Sequence, residues 1–137
     1  MTTSLIRGIR NNNPLNIRES EGDHTQWVGE HDQDLDPSFE EFNDPIYGIR
    51  AGARILINYQ SKYGLNTIRK IMDRYAPPVE NDTNSYAQHI ADKVGISQDQ
   101  QIDVKDHLFT MIKTMIKHEN GINPYSDDQI KQGIALV

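Results

Sequence analysis

The chain contains no cysteine. That excludes disulfides, thiolate nucleophiles and cysteine-based metal centres, and it leaves the redox compartment unread. It also lacks any run approaching 18 apolar residues, and its first twenty residues hold no apolar h-region. Neither a membrane-spanning helix nor a secretory leader is therefore expected. Positive charge is scarce too: 14 Lys and Arg stand against 20 Asp and Glu, a net charge of −6. A long-range basic field for gathering nucleic acid is missing, so nucleic acid is not an expected partner. There is a single tryptophan, Trp27.

What is present fits one globular domain. A chain of 137 residues, 36% hydrophobic and 25% charged, is long enough for one core. No repeat, low-complexity tract or linker divides it. Residues 1–43 are polar in texture. They carry "RNNNPLNIR" (10–18), "WVG" (27–29) and "SFEEF" (38–42), short apolar pieces separated by Asn, Gly, Pro and Asp. This pattern predicts short strands and turns, a small β-hairpin region.

Residues 44–137 read as a helical body. Asp44–Pro45 is a start signal and Gly64 a stop for the first helix, whose inner face is Ile49, Ala53, Leu56 and Ile57 followed by Gln60. A second helix over 66–78 is capped by Asn66 or Thr67 and stopped by Pro77–Pro78. A third, over 81–95, is capped near Asp82–Thr83 and carries Tyr86, Ile90 and Val94 at i, i+4, i+8. A fourth runs from about Val104 to Glu119. The last follows Ser126, over about 127–136. The fold class is mainly α, with a minor β element near the N-terminus.

The fourth helix ends unusually. Glu119 follows Leu108, Ile112, Met115 and Ile116 by 11, 7, 4 and 3 residues, all same-face intervals. It continues an apolar stripe. A carboxylate there is partly desolvated, the setting in which a carboxyl becomes useful as a general acid. The "NG" that follows lets the chain leave the helix at once, placing the carboxylate at the mouth of a cleft. The plainer alternative is a frayed, solvated residue opposing the helix dipole.

Histidine chemistry is less promising. His24 and His31 lie among Glu21, Asp23, Glu30 and Asp32, but their spacing matches no zinc pattern, and "HEN" at 118–120 lacks the second His of H-E-x-x-H. No metal and no cofactor are expected.

Several blocks together resemble a family. "RGIRNNNPLNIR", "WVG", "FEEFNDPIYGIRAGARILINYQ", "TIRKIMDRYAPPVENDTNSYAQHIADKVG" and "IKHENG" are similar to phage and prophage peptidoglycan-degrading proteins of the lysozyme-like, lytic-transglycosylase-like kind. The likeness runs from about Arg7 to Gly121. One departure is Leu15, where the pattern usually has Gly, a residue that allows positive φ or close backbone approach. The resemblance implies a single lysozyme-like domain. Because Glu119 comes after the Asn-rich block and Tyr86, it also implies a circularly permuted order.

The implied activity is cleavage of the MurNAc–GlcNAc β-1,4 bond, by a lytic transglycosylase or a lysozyme. Glu119 is the implied general acid/base, with Glu80 as second choice, though "ENDT" also reads as a helix cap. Asn11, Asn12, Asn13, Tyr86 and Trp27 are the implied substrate-binding residues. Each has an ordinary structural role open to it: Asx-turns before Pro14 for the asparagines, core packing for Tyr86, cover for the hairpin for Trp27. Arg10, Arg18 and Arg50 are candidates for contacts to peptide-stem carboxylates. A hydrolase needs a second carboxylate, for which Glu19, Glu21, Asp23, Glu30 and Asp32 are available. The expected partners are peptidoglycan glycan strands and other virion proteins. The expected location is the phage particle, or the host cytoplasm before release to the wall as an endolysin. The competing readings are a non-catalytic virion structural protein and a peptidoglycan-binding module.

Overall fold

A computed structural model describes residues 6–19, 27–32, 35–79 and 81–137. Six helices are present among them: α1 (Arg7–Arg10), α2 (Pro45–Tyr63), α3 (Ile68–Tyr75), α4 (Thr83–Val94), α5 (Leu108–Asn120) and α6 (Asp127–Ala135). A 3₁₀ turn over Val104–Asp106 leads into α5. The chain is mainly helical, and none of the described helices is long and apolar enough to cross a membrane.

The helix boundaries follow from side-chain chemistry. The Asp44 carboxylate accepts from the Ile46 amide ahead of Pro45, and Thr67 accepts from Lys70 N at 3.2 Å. Asp82 accepts from Ser85 N at 3.2 Å. Ser126 and Gln129 form a reciprocal capping box. Each cap satisfies an amide that the first helical turn leaves without a partner, worth about 1 kcal/mol per cap.

Helix α2 is the hub. It packs along α6 and touches α3, α5 and the 3₁₀ turn, while α4 joins α3 to α5. Its predicted inner face is the observed one: Ile49, Ala53, Leu56 and Ile57 are buried. Gln60 closes the end of that stripe by donating to Ile102 O (2.9 Å) and accepting from Val104 N (2.7 Å). The same core takes in Ile90 and Tyr86 from α4 and Met111, Ile112, Met115 and Ile116 from α5. Burial of each such aliphatic side chain contributes roughly 1.5–3 kcal/mol.

The N-terminal region departs from expectation. Arg7–Arg10 is a single helical turn, not a strand. Among the described residues no strand forms where a hairpin was predicted. Two isolated antiparallel bridges, Arg18 with Phe39 and Glu30 with Phe42, hold the segment together. The physical reason is competition from side chains for backbone groups. Asn13 takes the Ile17 amide and both the Ile17 and Glu40 carbonyls. Asp36 takes the Ser38 and Phe39 amides. A regular ladder has little left to pair.

Leu15 resolves the departure from the family pattern. Positive φ in "NNNPLN" falls on Asn12 (54°) and Asn16 (53°), not on position 15. Leu15 is instead fully buried in the core. Asparagine tolerates the left-handed region better than other non-glycine residues, so the turn closes without glycine.

Candidate functional site

The site is built where the last turn of α5 meets the Asn-rich turn. Gly121 takes φ 74° and ends the helix, accepting the left-handed conformation that a residue with a Cβ rarely adopts. Just before it, the buried Asn120 amide donates to Pro14 O (2.7 Å) and Ile116 O (2.9 Å). That pins α5 to the turn across 106 residues of sequence. Gly8 of α1 lies directly beneath: a Cβ there would sit 2.5 Å from Asn16 Oδ1 and 2.6 Å from Asn120 Oδ1. The left-handed Asn16 then presents its amide to Glu119, donating to Oε1 at 3.2 Å.

Glu119 is half-buried and lines a groove of about 700 Å³. Asn16, Tyr75 and Trp27 line it as well. Tyr75 donates its hydroxyl to the Leu15 carbonyl. Burial pushes this phenol's pKa well above its usual value, and the negative charge of Glu119 pushes it further. Tyr86 responds in the same way, raised first by burial and then by Glu119. Both phenols therefore stay protonated on the flanks of the carboxylate.

The Tyr86 hydroxyl is buried without a hydrogen-bond partner, and so is Asn120 Oδ1. The Tyr86 ring stacks on His118, centroids 3.6 Å apart and planes 18° from parallel. Burial lowers the His118 pKa, outweighing the opposing pull of Glu119.

Beyond Glu119 the groove changes character. Arg74 lies 3.9 Å from the Tyr63 ring centroid and 5.3 Å from that of Tyr59, and Arg18 lies 5.1 Å from that of Phe39. Lys62 is on the same groove. Among the described residues Glu119 is the only carboxylate lining it.

Of the residues singled out in the sequence, Glu119, Trp27 and Arg18 line this groove, and Tyr86 lies almost wholly enclosed behind the carboxylate. Glu80 lies outside the described residues, as do Glu21, Asp23 and His24. The three asparagines point elsewhere. Asn13 is fully buried and bonded to backbone. Asn12 donates to Phe42 O (3.0 Å) and Asn11 to Asp36 (2.9 Å). They are the scaffold of the turn, and Asn11 and Asn12 line a different hollow, shared with Arg10 and His31.

Sequence reasoning missed four residues. Asn16 stands two places after Pro14 in a turn whose handedness no pattern reveals. Asn120 was hidden behind Glu119, although a polar residue so close to the apolar stripe was a usable signal. Tyr75, directly before "APP", reads as an ordinary helix end.

Asp36 carries the largest structural load of the four. It is 4% exposed and accepts from Arg7 Nε (2.6 Å), Arg7 Nη2, Asn11 Nδ2 and two backbone amides. The Arg7 guanidinium holds its carboxyl far below the usual range.

Fold and site together define a mainly helical protein whose α5 brings a half-buried carboxylate, Glu119, to a groove. No family model matches the chain. It is, however, 53% identical over 127 residues to Protein P5 of Pseudoalteromonas phage PM2, an alignment covering 93% of this chain and 79% of that protein. The chain belongs to the family of this phage protein.

Proposed function

We propose that the protein is a peptidoglycan glycosidase that cleaves the MurNAc–GlcNAc β-1,4 bond, with Glu119 as its acid/base. The observation that carries this reading is the placing of Glu119: half-buried on a groove, oriented by Asn16 at 3.2 Å, and flanked by protonated Tyr75 and Tyr86. Glycoside cleavage begins with protonation of the leaving oxygen by such a carboxyl. The transglycosylase route asks for no carboxylate besides Glu119, the one that lines the groove among the described residues. In that route the conjugate base of Glu119 removes the proton of the muramoyl C6 hydroxyl. The oxygen then closes on C1 of the same sugar, giving an anhydro ring and needing neither a second carboxylate nor water.

The lysozyme-like, circularly permuted fold belongs to the same proposal. Its support is that the Asn12 carbonyl and the Leu136 carbonyl both lie against the first turns of α2, at Gly48 and Arg50 respectively. Membership of a phage-protein family supports a particle-borne enzyme positioned on the host wall by assembly with other virion proteins. An acidic protein delivered in this way does not depend on long-range attraction to an anionic wall.

The test is digestion of purified peptidoglycan by wild type and by Glu119→Gln, with soluble muropeptides analysed by mass spectrometry. Anhydro-muropeptides from wild type and a loss of at least about a hundredfold in the variant are expected, the scale of removing a general acid. Reducing ends would reassign the chemistry to hydrolysis. No release by folded wild type would leave a structural or glycan-binding virion protein.

A further inference from the structure

We propose that Arg18, Lys62 and Arg74 on the groove bind free carboxylates of the stem peptides carried on the glycan, so that a strand with those carboxylates free is preferred over one with them amidated. This rests on the glycosidase reading of Glu119. The first argument is the local charge. A chain of net charge −6 places Arg18, Lys62 and Arg74 on one groove, against Glu119 as its only described carboxylate. A neutral sugar chain gains little from three cations. An anionic substituent gains from each of them.

The second argument is that these cations are available. The ion pairs among the described residues join Arg7 to Asp36, Arg69 to Asp99 and Lys113 to Asp127. None of the three groove cations takes part in one. Arg18 and Arg74 are instead held against aromatic faces, Arg74 at 3.9 Å from the Tyr63 centroid. Stacking holds a guanidinium in place; Arg74 also interacts with the Tyr59 hydroxyl, and the rest of its five N–H donors can meet a carboxylate. Lys62 and Tyr63 adjoin at the end of α2, and Arg74 is on the last turn of α3. Two separate helices thus bring their C-terminal basic residues to one place beside the sugar path.

The third argument is chemical. In peptidoglycan the sugars themselves are neutral, and the free carboxylates belong to the peptides attached along the strand. A groove that runs from an acid/base to a cationic aromatic shelf matches a glycan bond with such a peptide next to it.

The experiment compares initial rates on two soluble substrates, peptide-bearing strands and the same strands with their peptide carboxylates converted to primary amides by carbodiimide and excess ammonium. The readout is the ratio of the two rates. Wild type should favour the unmodified strand by about tenfold or more, the worth of one well-formed charged contact. The advantage should shrink in 0.5 M salt as screening grows. Lys62→Gln/Arg74→Gln should bring the ratio close to one, while Arg74→Lys, which keeps the charge, should retain part of it. A wild-type ratio near one, or an unchanged ratio in the double variant, overturns the proposal.

If wild type cuts neither strand, the glycosidase reading fails by itself. The shelf is then judged by calorimetry with a peptide-bearing disaccharide and its counterpart amidated at the peptide carboxylates. Tighter binding of the first, lost in the double variant, supports it; equal binding refutes it.

Discussion

Leu15 and Gly52 form a pair whose energetics can be worked out in advance. Leu15 is fully buried, and a Cβ built on Gly52 would lie 1.9 Å from its Cδ1 and 3.2 Å from its Cγ. The leucine therefore occupies the space that glycine leaves on the face of α2. Leu15→Ala removes a buried side chain and should cost about 3 kcal/mol, within the range for such truncations. Gly52→Ala alone gains about 1 kcal/mol of helix propensity but loses about 2 to overpacking, a net loss near 1. In the double variant the added methyl enters the vacated space and the overpacking disappears. The total loss should then be about 2 kcal/mol rather than the additive 4, a coupling of about −2 kcal/mol. Urea unfolding of the four proteins measures this, provided the m-value is unchanged. Additivity within about 0.5 kcal/mol would refute the packing argument.

Other outcomes follow from the same structure. Asp36→Ala leaves the Asn11 amide and the Ser38 and Phe39 backbone amides without their acceptor and should lower the urea midpoint, loosening the N-terminal turn first. Asp36 and His118 both have depressed pKa values in the folded state, so both contribute stability that is present above their unfolded values and lost on acidification. For His118 the loss begins below about pH 6.5 and for Asp36 below about pH 4, and denaturant midpoints against pH should show both. His118→Gln should remove the first step only. Gly8→Ala should displace Asn16 and Asn120 and lower activity far more than it lowers melting temperature, since it disturbs the support of Glu119. Tyr86→Phe should leave stability within about 1 kcal/mol, because the packed ring is kept, while muropeptide release falls.

Much of the helical body was legible because periodicity and capping are local. The Ile49–Ile57 face, the Thr67, Asp82 and Ser126 caps and the stripe leading to Glu119 all depend on residues within a few positions of one another. The N-terminal region was not legible for the opposite reason. Its order comes from Asn13 and Asp36 side chains replacing a backbone ladder, and nothing in "RNNNPLNIR" says which asparagine points in and which points to the groove. The position of Glu119 on its helix was readable, but its partner Asn16 lies 103 residues away. No spacing rule spans that distance. The cationic shelf was only partly visible, since Arg18 is plain in the sequence but Lys62 and Arg74 join it through the packing of α2 and α3.

The tie between the Asn-rich turn and the end of α5 has a kinetic consequence. Contacts that close loops of more than a hundred residues carry the largest chain-entropy cost and are gained late, after local helices have formed and docked. The bonds from Asn120 to Pro14 and from Asn16 to Glu119 are of this kind. A nascent or partly denatured chain can therefore hold most of its helices while Glu119 is still unoriented. Its orientation arrives with the final docking of residues 6–19, and local release of that segment removes it without melting the body.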